Sequence, residues 1–199
     1  HPILMILLDL HDAGSLTTHS DRQVIARVGK GVDKTGAIAW DSFTRSEQFL
    51  QRYLVEAKSA GVDVVRAVGT SALRDARNGG DFIEYMREKL DLEIEILSGD
   101  DEALWTYGGA ISGFPDRGGA FAVLDIGGGS TELTVGEGFR IVGRKSVDIG
   151  CVRLTEKFLH HSPPEKDEIA SMLKLIDDAI GQYPVFDPAS THFVGVAGT

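Results

Sequence analysis

Two carboxylates flank three consecutive glycines in one short segment, which holds the residues best suited to chemistry. In order, the segment contains Asp125, Gly127, Gly128, Gly129, Ser130, Thr131 and Glu132. Consecutive glycines remove every Cβ from a turn and permit positive φ angles, so successive backbone N–H groups can converge on an anion. Asp125 comes near the end of an apolar run, where a carboxylate can hold a hard cation. The segment therefore predicts a phosphate and metal site.

The structure that this segment predicts is a glycine-tipped β-hairpin. The run before Asp125 is apolar, and residues 131–135 alternate in polarity as a second strand does. A dinucleotide-binding fingerprint needs a further glycine where Glu132 stands, and a Walker-type loop needs Gly-Lys-Ser or Gly-Lys-Thr, which this sequence lacks. An ordinary glycine-rich hairpin stays open as the alternative, and the two flanking carboxylates favour the phosphate site over it.

Four stretches of the chain, taken in order, resemble motifs of one known family. They are residues 66–78, 95–103, 125–132 and 195–199. The chain resembles the exopolyphosphatase and guanosine pentaphosphate phosphatase family, a branch of the actin-like, sugar-kinase-like and Hsp70-like superfamily. The glycine segment is similar to that family's second phosphate motif, and four ordered matches are far more specific than any one of them.

The resemblance implies a role for each candidate site residue. Glu102 is similar to the family's catalytic glutamate, which accepts a proton from the attacking water. Asp125 is implied to hold Mg²⁺, directly or through water, and Glu132 to be a second metal or water ligand. The implied phosphate-binding residues are Gly127, Gly128, Gly129, Ser130, Thr131 and Arg74.

Simpler interpretations exist for two of these residues. Acidic residues are common in the first turn of a helix, where they complement the helix dipole, and that is our interpretation of Asp100 and Asp101. Glu102 would be a third such acid without the resemblance, and Arg74 would be a solvated surface charge. Leu104 departs from the family, which usually has arginine there, and this change could alter contacts with the substrate.

The activity that the resemblance implies is hydrolysis of a terminal phosphoanhydride. The implied substrates are inorganic polyphosphate, trimmed from its end, or guanosine pentaphosphate, trimmed to tetraphosphate. Two other classes stay open: a kinase of the same superfamily, and a non-enzymatic sensor of guanosine nucleotides. The resemblance also leaves room for a homodimer.

Charge and composition exclude several other function classes. Thirty acidic and twenty basic residues give a formal charge of −10, which argues against a nucleic-acid-binding surface. A polyanionic substrate must therefore be held by local devices such as a divalent ion and backbone N–H groups. Cys151 is the only cysteine, which favours a reducing, cytoplasmic location. The apolar run 3–8 lacks the flanks of a leader peptide and is expected to be a strand, so no membrane insertion is expected.

The fold class expected is α/β, with two ribonuclease-H-like domains whose mixed sheets are flanked by helices and whose active site lies in the cleft between them. Turn-forming residues at 113–119 place the boundary there, giving domains 1–118 and 119–199. The first is expected to be incomplete at its start, because the family's first phosphate motif would precede Ile3, and the second at its end. A chain without that motif is expected to be inactive.

Periodicity predicts the remaining elements. Strands are expected at 3–10, 23–28, 62–68, 92–96 and 139–147, and helices over 43–57, 81–90 and 152–158. Asp81 and Glu84 are expected to form a capping box. The apolar stripe of a later helix, which begins after Glu165, is expected to face the core; it consists of Ile169, Met172, Leu173, Ile176 and Ile180. His160 and His161 are expected on the surface rather than on a metal.

Overall fold

A computed structural model describes residues 2–12, 15–116 and 118–197. The chain forms two compact units, residues 1–96 and residues 97–199. Gly198 and Thr199, which end the last of the four family-like stretches, lie outside the described residues. No helix in the described ranges is both long and apolar enough to cross a membrane.

The first unit contains two small sheets. Strand β1 (Ile3–Leu10) pairs antiparallel with β2 (Leu16–Val24), and β3 (Ala67–Gly69) pairs parallel with β4 (Ile94–Ile96). Strand β1 is confirmed, but the strand predicted at 23–28 is wrong. Backbone pairing with β1 makes residues 16–24 extended, although most of their side chains are polar and exposed, so no apolar alternation marks them.

Four helices complete the first unit: α1 (Val32–Thr35), α2 (Trp40–Ser59), α3 (Ser71–Asp75) and α4 (Gly79–Leu90). Their apolar faces meet in a core centred on aromatic rings, with Phe43 and Phe82 edge to face at 5.0 Å. The helix predicted over 43–57 is confirmed. The predicted capping box is wrong, because α4 starts at Gly79 and its N-cap is Asn78, whose amide binds both backbone groups of Ile38.

A four-stranded mixed sheet organises the second unit. Its strands are β5 (Ala120–Ile126), β6 (Thr131–Glu137), β7 (Arg140–Val147) and β8 (Thr191–Ala197), in the order β7-β6-β5-β8. The first three form an antiparallel meander that contains the predicted glycine-tipped hairpin, and β8 runs parallel to β5. The predicted α/β class with mixed pairing is therefore confirmed.

Helix α5 (Gly99–Ser112) covers one face of this sheet. Tyr107 and Ile111 pack against Phe121 and Val123, and the Tyr107 hydroxyl donates to the carbonyl of Gly138 at 2.7 Å. These contacts place α5 with the second sheet, so the compact units divide before α5. A ribonuclease-H-like domain boundary at 118/119 stays a prediction.

Helices α6 (Cys151–Phe158) and α7 (Lys166–Ile180) follow the meander. The capping box of α7 forms between Glu165 and Glu168. The predicted core stripe of α7 is wrong, since Leu173 and Ile180 are 50% and 54% exposed. The buried residue of this helix is Ala179, which packs with Val147 and Ile149 on a neighbouring face. His160 and His161 are exposed, as predicted.

Candidate active site

The three-glycine segment forms the tip of the β5–β6 hairpin. The N–H of Gly127 donates to the carbonyl of Ser130 at 3.0 Å and closes the turn. The pairing register sets Asp125 opposite Glu132 across the two strands, so both carboxyl groups project from one face of the sheet. The hairpin therefore brings the two predicted metal ligands together beside the turn.

Glu132 is buried, with only 2% of its surface exposed. The Ser146 hydroxyl donates to Oε1 at 2.6 Å, whereas Oε2 has no hydrogen-bond partner among the described residues. Burial raises the pKa of Glu132 to about 7, although the Ser146 and Ser130 hydroxyls oppose this shift. The negative charges of Glu102 and Asp125 raise the pKa further. A buried, half-satisfied carboxylate is costly unless it is protonated or binds a cation.

Asp125 has a hydroxyl partner of its own. The Thr106 hydroxyl donates to Oδ2 of Asp125 at 3.2 Å. Burial raises the pKa of Asp125, and the hydrogen bond from Thr106 acts in the opposite direction. One carboxylate oxygen of Asp125, Oδ2, is therefore hydrogen-bonded to the protein.

The first turns of α5 place Glu102 over these two carboxylates. Ser98 is the N-cap, and its hydroxyl accepts from the N–H of Asp101 at 3.1 Å. Glu102 and Thr106 are four residues apart and thus lie on one face of the helix. That face meets the sheet, since Thr106 contacts Asp125 and the charge of Glu102 acts on Glu132.

The polar groups of the turn differ in part from those predicted for phosphate. The N–H of Gly127 is used inside the turn, and the Thr131 hydroxyl donates to the carbonyl of Ile149. The N–H groups of Gly128, Gly129 and Ser130 have no protein acceptor among the described residues. The geometry thus favours these three N–H groups as the anion donors.

At Gly127 the lack of a Cβ favours glycine, whereas the φ angle does not require it. The described glycines with positive φ are Gly31, Gly36, Gly61 and Gly138, all outside the turn. A Cβ on Gly127 would lie 3.1 Å from the carbonyl oxygen of Ser130. The expectation of positive φ in the turn was wrong, because the chain turns with ordinary angles and close backbone contacts.

The structure brings Glu102, Asp125 and Glu132 together at the glycine turn. Arg74 lies in α3 of the first compact unit, so its contact with a phosphate chain stays a prediction. Sequence reasoning missed Thr106 and Ser146. Helical spacing from Glu102 could have found Thr106, whereas Ser146 is recognisable only from the β6–β7 register.

The residues present fit Mg²⁺ if substrate completes its coordination. The described residues contain no group of three or more His, Cys, Asp or Glu side chains arranged to hold a metal. Mg²⁺ is commonly held by one or two carboxylates together with substrate phosphates and water. Asp125 and Glu132 supply two such carboxylates, and the unpartnered Oε2 of Glu132 is an acceptor suited to a cation.

Comparison with known proteins agrees with the motif order. The family model of the Ppx/GppA phosphatase family matches residues 7–190. The chain belongs to the Ppx/GppA phosphatase family. One Ppx/GppA relative, exopolyphosphatase 2 of Mycobacterium tuberculosis, is 35% identical over 200 residues, which cover 96% of this chain and 60% of the relative. Another, guanosine-5'-triphosphate,3'-diphosphate pyrophosphatase of Vibrio cholerae, is 29% identical over 98% of this chain and 39% of its own length.

Solved structures of Ppx/GppA proteins have the same fold. An exopolyphosphatase-like protein superposes with a TM-score of 0.91 at 27% identity, covering 99% of this chain and 63% of that protein. The Aquifex aeolicus family member gives a TM-score of 0.75 at 28% identity over 99% of this chain and 63% of its own. The expected family fold is confirmed, and the chain spans about three fifths of exopolyphosphatase 2 and of these two solved structures.

Proposed function

We propose that the protein is a phosphoanhydride hydrolase that removes the terminal phosphate of inorganic polyphosphate or guanosine pentaphosphate. The observation that carries this proposal is the convergence of Glu102, Asp125 and Glu132 on a turn with three outward N–H groups. Membership of the Ppx/GppA phosphatase family supports the same reaction.

The proposed mechanism needs little covalent chemistry from the protein, because phosphoryl transfer depends on positioning and charge neutralisation. The N–H groups of Gly128, Gly129 and Ser130 bind oxygens of the terminal phosphate. Asp125 and Glu132 would hold Mg²⁺, which would neutralise charge on the substrate.

Glu102 orients the attacking water and accepts its proton. Its position in the first turn of α5 favours the ionised carboxylate, because the N-terminal end of a helix dipole is positive. The reaction releases orthophosphate and leaves the substrate shorter by one phosphate.

One of the two relatives described above is named for polyphosphate and the other for guanosine pentaphosphate. In this chain, Leu104 replaces the arginine that the family resemblance led us to expect. We propose that the protein accepts either substrate and that its preference between the two depends on residues around α5. Leu104 is 42% exposed at the start of this helix, where a side chain can contact a long substrate.

Phosphate release by the full-length protein tests the proposed function. Polyphosphate, guanosine pentaphosphate and ATP are assayed side by side with Mg²⁺, with orthophosphate as the product measured. We expect release from one or both of the first two substrates. Transfer to an acceptor without free phosphate would instead identify a kinase, and binding without turnover would identify a sensor.

Location and oligomeric state also belong to the proposal. The single cysteine supports a cytoplasmic protein. A homodimer stays a prediction, which light scattering of the full-length protein tests.

A further inference from the structure

The backbone carbonyls of the glycine turn are bound by the start of α6. The N–H of Cys151 donates to the carbonyl of Gly127 at 3.0 Å. The N–H groups of Val152 and Arg153 both donate to the carbonyl of Gly128, at 2.9 and 3.1 Å. The first-turn N–H groups of a helix have no acceptor within the helix, and here the turn supplies it.

The third glycine is bound by a side chain. The Arg153 guanidinium donates through Nε to the carbonyl of Gly129 at 2.8 Å. All three glycine carbonyls therefore point toward α6. In a trans peptide the C=O and the following N–H point in opposite directions. The N–H groups of Gly128, Gly129 and Ser130 consequently point away from α6 together.

No side chain fits between the turn and the helix. A Cβ on Gly150, the N-cap of α6, would lie 2.4 Å from the carbonyl carbon and oxygen of Gly128 and 2.5 Å from the nitrogen of Gly129. Atoms at such distances overlap, so the close approach requires glycine at this position. The contact between α6 and the turn is therefore direct backbone packing.

We propose that α6 and Arg153 form a clamp that turns the three glycine peptides so that their N–H groups bind the terminal phosphate. Arg153 is a positioning residue that acts through the Gly129–Ser130 peptide. This inference rests on the proposed function for the identity of the ligand, a phosphoanhydride. The orientation of the N–H groups itself follows from the hydrogen bonds of the clamp.

Arg153 also places a positive charge against the carbonyl of Gly129. Its guanidinium is bound to the turn itself, while Asp125 and Glu132 lie at the ends of the two strands that the turn joins. A cation on the carbonyl side of a peptide polarises that peptide, which strengthens the N–H as a donor to an anion. Loss of Arg153 is thus expected to weaken anion binding more than it weakens the fold.

Pyrophosphate binding tests the clamp without requiring turnover. Full-length protein labelled with ¹⁵N-glycine and ¹⁵N-serine is titrated with inorganic pyrophosphate in the presence of Mg²⁺, and the amide signals of Gly128, Gly129 and Ser130 are followed. The variants are Arg153→Met, Arg153→Lys and Arg140→Met. Arg140 is a matched control because its guanidinium pairs with Glu137 at the other end of the β6–β7 hairpin.

The clamp predicts that the three amide signals shift in the wild type and that Arg153→Met raises the Kd for pyrophosphate about tenfold or more. Arg153→Lys keeps a cation but lacks the Nε–H, so its Kd lies between the two. Arg140→Met binds as the wild type does. Wild-type affinity in Arg153→Met overturns the proposal, as does absence of shifts at these amides. If Arg153→Met does not fold, wild-type affinity in Arg153→Lys overturns it instead.

Phosphate release separates this inference from the proposed function. If the amides and Kd values behave as predicted while no substrate is hydrolysed, the clamp stands and the proposed function fails. If hydrolysis occurs and Arg153→Met matches the wild type in both Kd and KM, the function stands and the clamp is wrong.

Discussion

At the scale of single residues, Asp125 and Glu132 are carboxylates whose surroundings disfavour negative charge. Asp125 and Glu132 both have hydroxyl donors, yet the pKa of each is raised, because removal from water outweighs these neutral donors. Such a cluster is stabilised by a bound cation. This is the physical reason to expect metal dependence.

Glu102→Gln is expected to lower kcat by about 10²- to 10⁴-fold while substrate binding and stability stay close to wild type, because the amide is nearly isosteric but accepts no proton. Single-turnover phosphate release measures the change. The matched control is Asp101→Asn, which removes the neighbouring first-turn charge and should leave turnover unchanged. Unchanged turnover in Glu102→Gln would leave this residue as a first-turn acid.

Asp125→Asn is expected to raise the Mg²⁺ concentration needed for half-maximal activity and to lower turnover, since a polyanion near an acidic chain needs a bridging cation. Thr106→Val should raise the Mg²⁺ requirement by a smaller factor, because it removes the hydrogen bond to Asp125. Thr106→Ser keeps the hydroxyl and should restore the wild-type value. Full activity of the wild type in excess chelator contradicts the assignment.

The pKa of Glu132 gives a stability prediction for the metal-free protein. This pKa rises from 4.5 to about 7 on folding, so the folded state binds the proton more tightly. The contribution of Glu132 to stability is fully present below pH 4.5 and is lost as the pH rises through about 7. The free energy of unfolding should fall by about 3 kcal/mol over this window.

Urea unfolding between pH 4 and pH 8 in chelator measures that slope. Glu132→Gln cannot titrate at this position, so its free energy of unfolding should vary less with pH than that of the wild type. The same slope in both proteins would show that Glu132 does not titrate with a raised pKa.

At the scale of elements, two helices act on one hairpin tip. Helix α5 covers the carboxylate face of β5 and β6, and α6 binds the glycine carbonyls beyond them. The hairpin alone would have a mobile tip, whereas the contacts with both helices restrict it. Catalysis by positioning depends on such support, since misplacement by about 1 Å can cost about 10²-fold in rate.

Gly150→Ala is expected to displace the glycine turn, because the new Cβ overlaps the backbone of Gly128. We expect a loss of about 1–3 kcal/mol in the free energy of unfolding and a fall in kcat/KM of about 10²-fold. Urea unfolding and steady-state phosphate release measure the two effects. Gly195→Ala in β8 is the control, since its Cβ would meet no atom within 4 Å. Equal effects of both substitutions would contradict close packing at the turn.

At the scale of the whole molecule, net charge opposes the proposed substrate. A formal charge of −10 repels a polyphosphate chain at long range, while the N–H groups and the metal attract it only at short range. Salt screens the long-range repulsion. Added salt should therefore speed the encounter of the substrate with the protein more than it weakens binding at the site.

We expect kcat/KM for tripolyphosphate to rise a few-fold as KCl is increased from about 20 to about 150 mM at constant free Mg²⁺, because the Debye length shortens to about 8 Å. The value of kcat at saturating substrate serves as the internal control and should stay constant. A steady fall in kcat/KM with salt would show that attraction by basic residues dominates the encounter.

The sequence by itself placed the candidate site residues in local segments and predicted several of the strands and helices. The carboxylates, glycines and hydroxyls of residues 125–132 are close together in the sequence. A hairpin with the glycines at its tip follows from the alternation of polar and apolar residues and from the turn composition. Glu102 could be placed in the first turn of a helix, because acidic residues complement the helix dipole locally. The family was also readable from four short motifs. Such features depend on neighbours in the chain, which the sequence shows directly.

Only the tertiary structure decided which residues that are distant in sequence lie next to the site. Ser146 reaches the hairpin through the strand register, and Arg153 reaches it from the start of α6. The exposure of Leu173 was also decided by the tertiary structure, because amphipathic periodicity defines an apolar face but does not say whether another element covers it. Burial and desolvation arise from packing between distant segments, so the raised pKa of Glu132 could not be read from residue order.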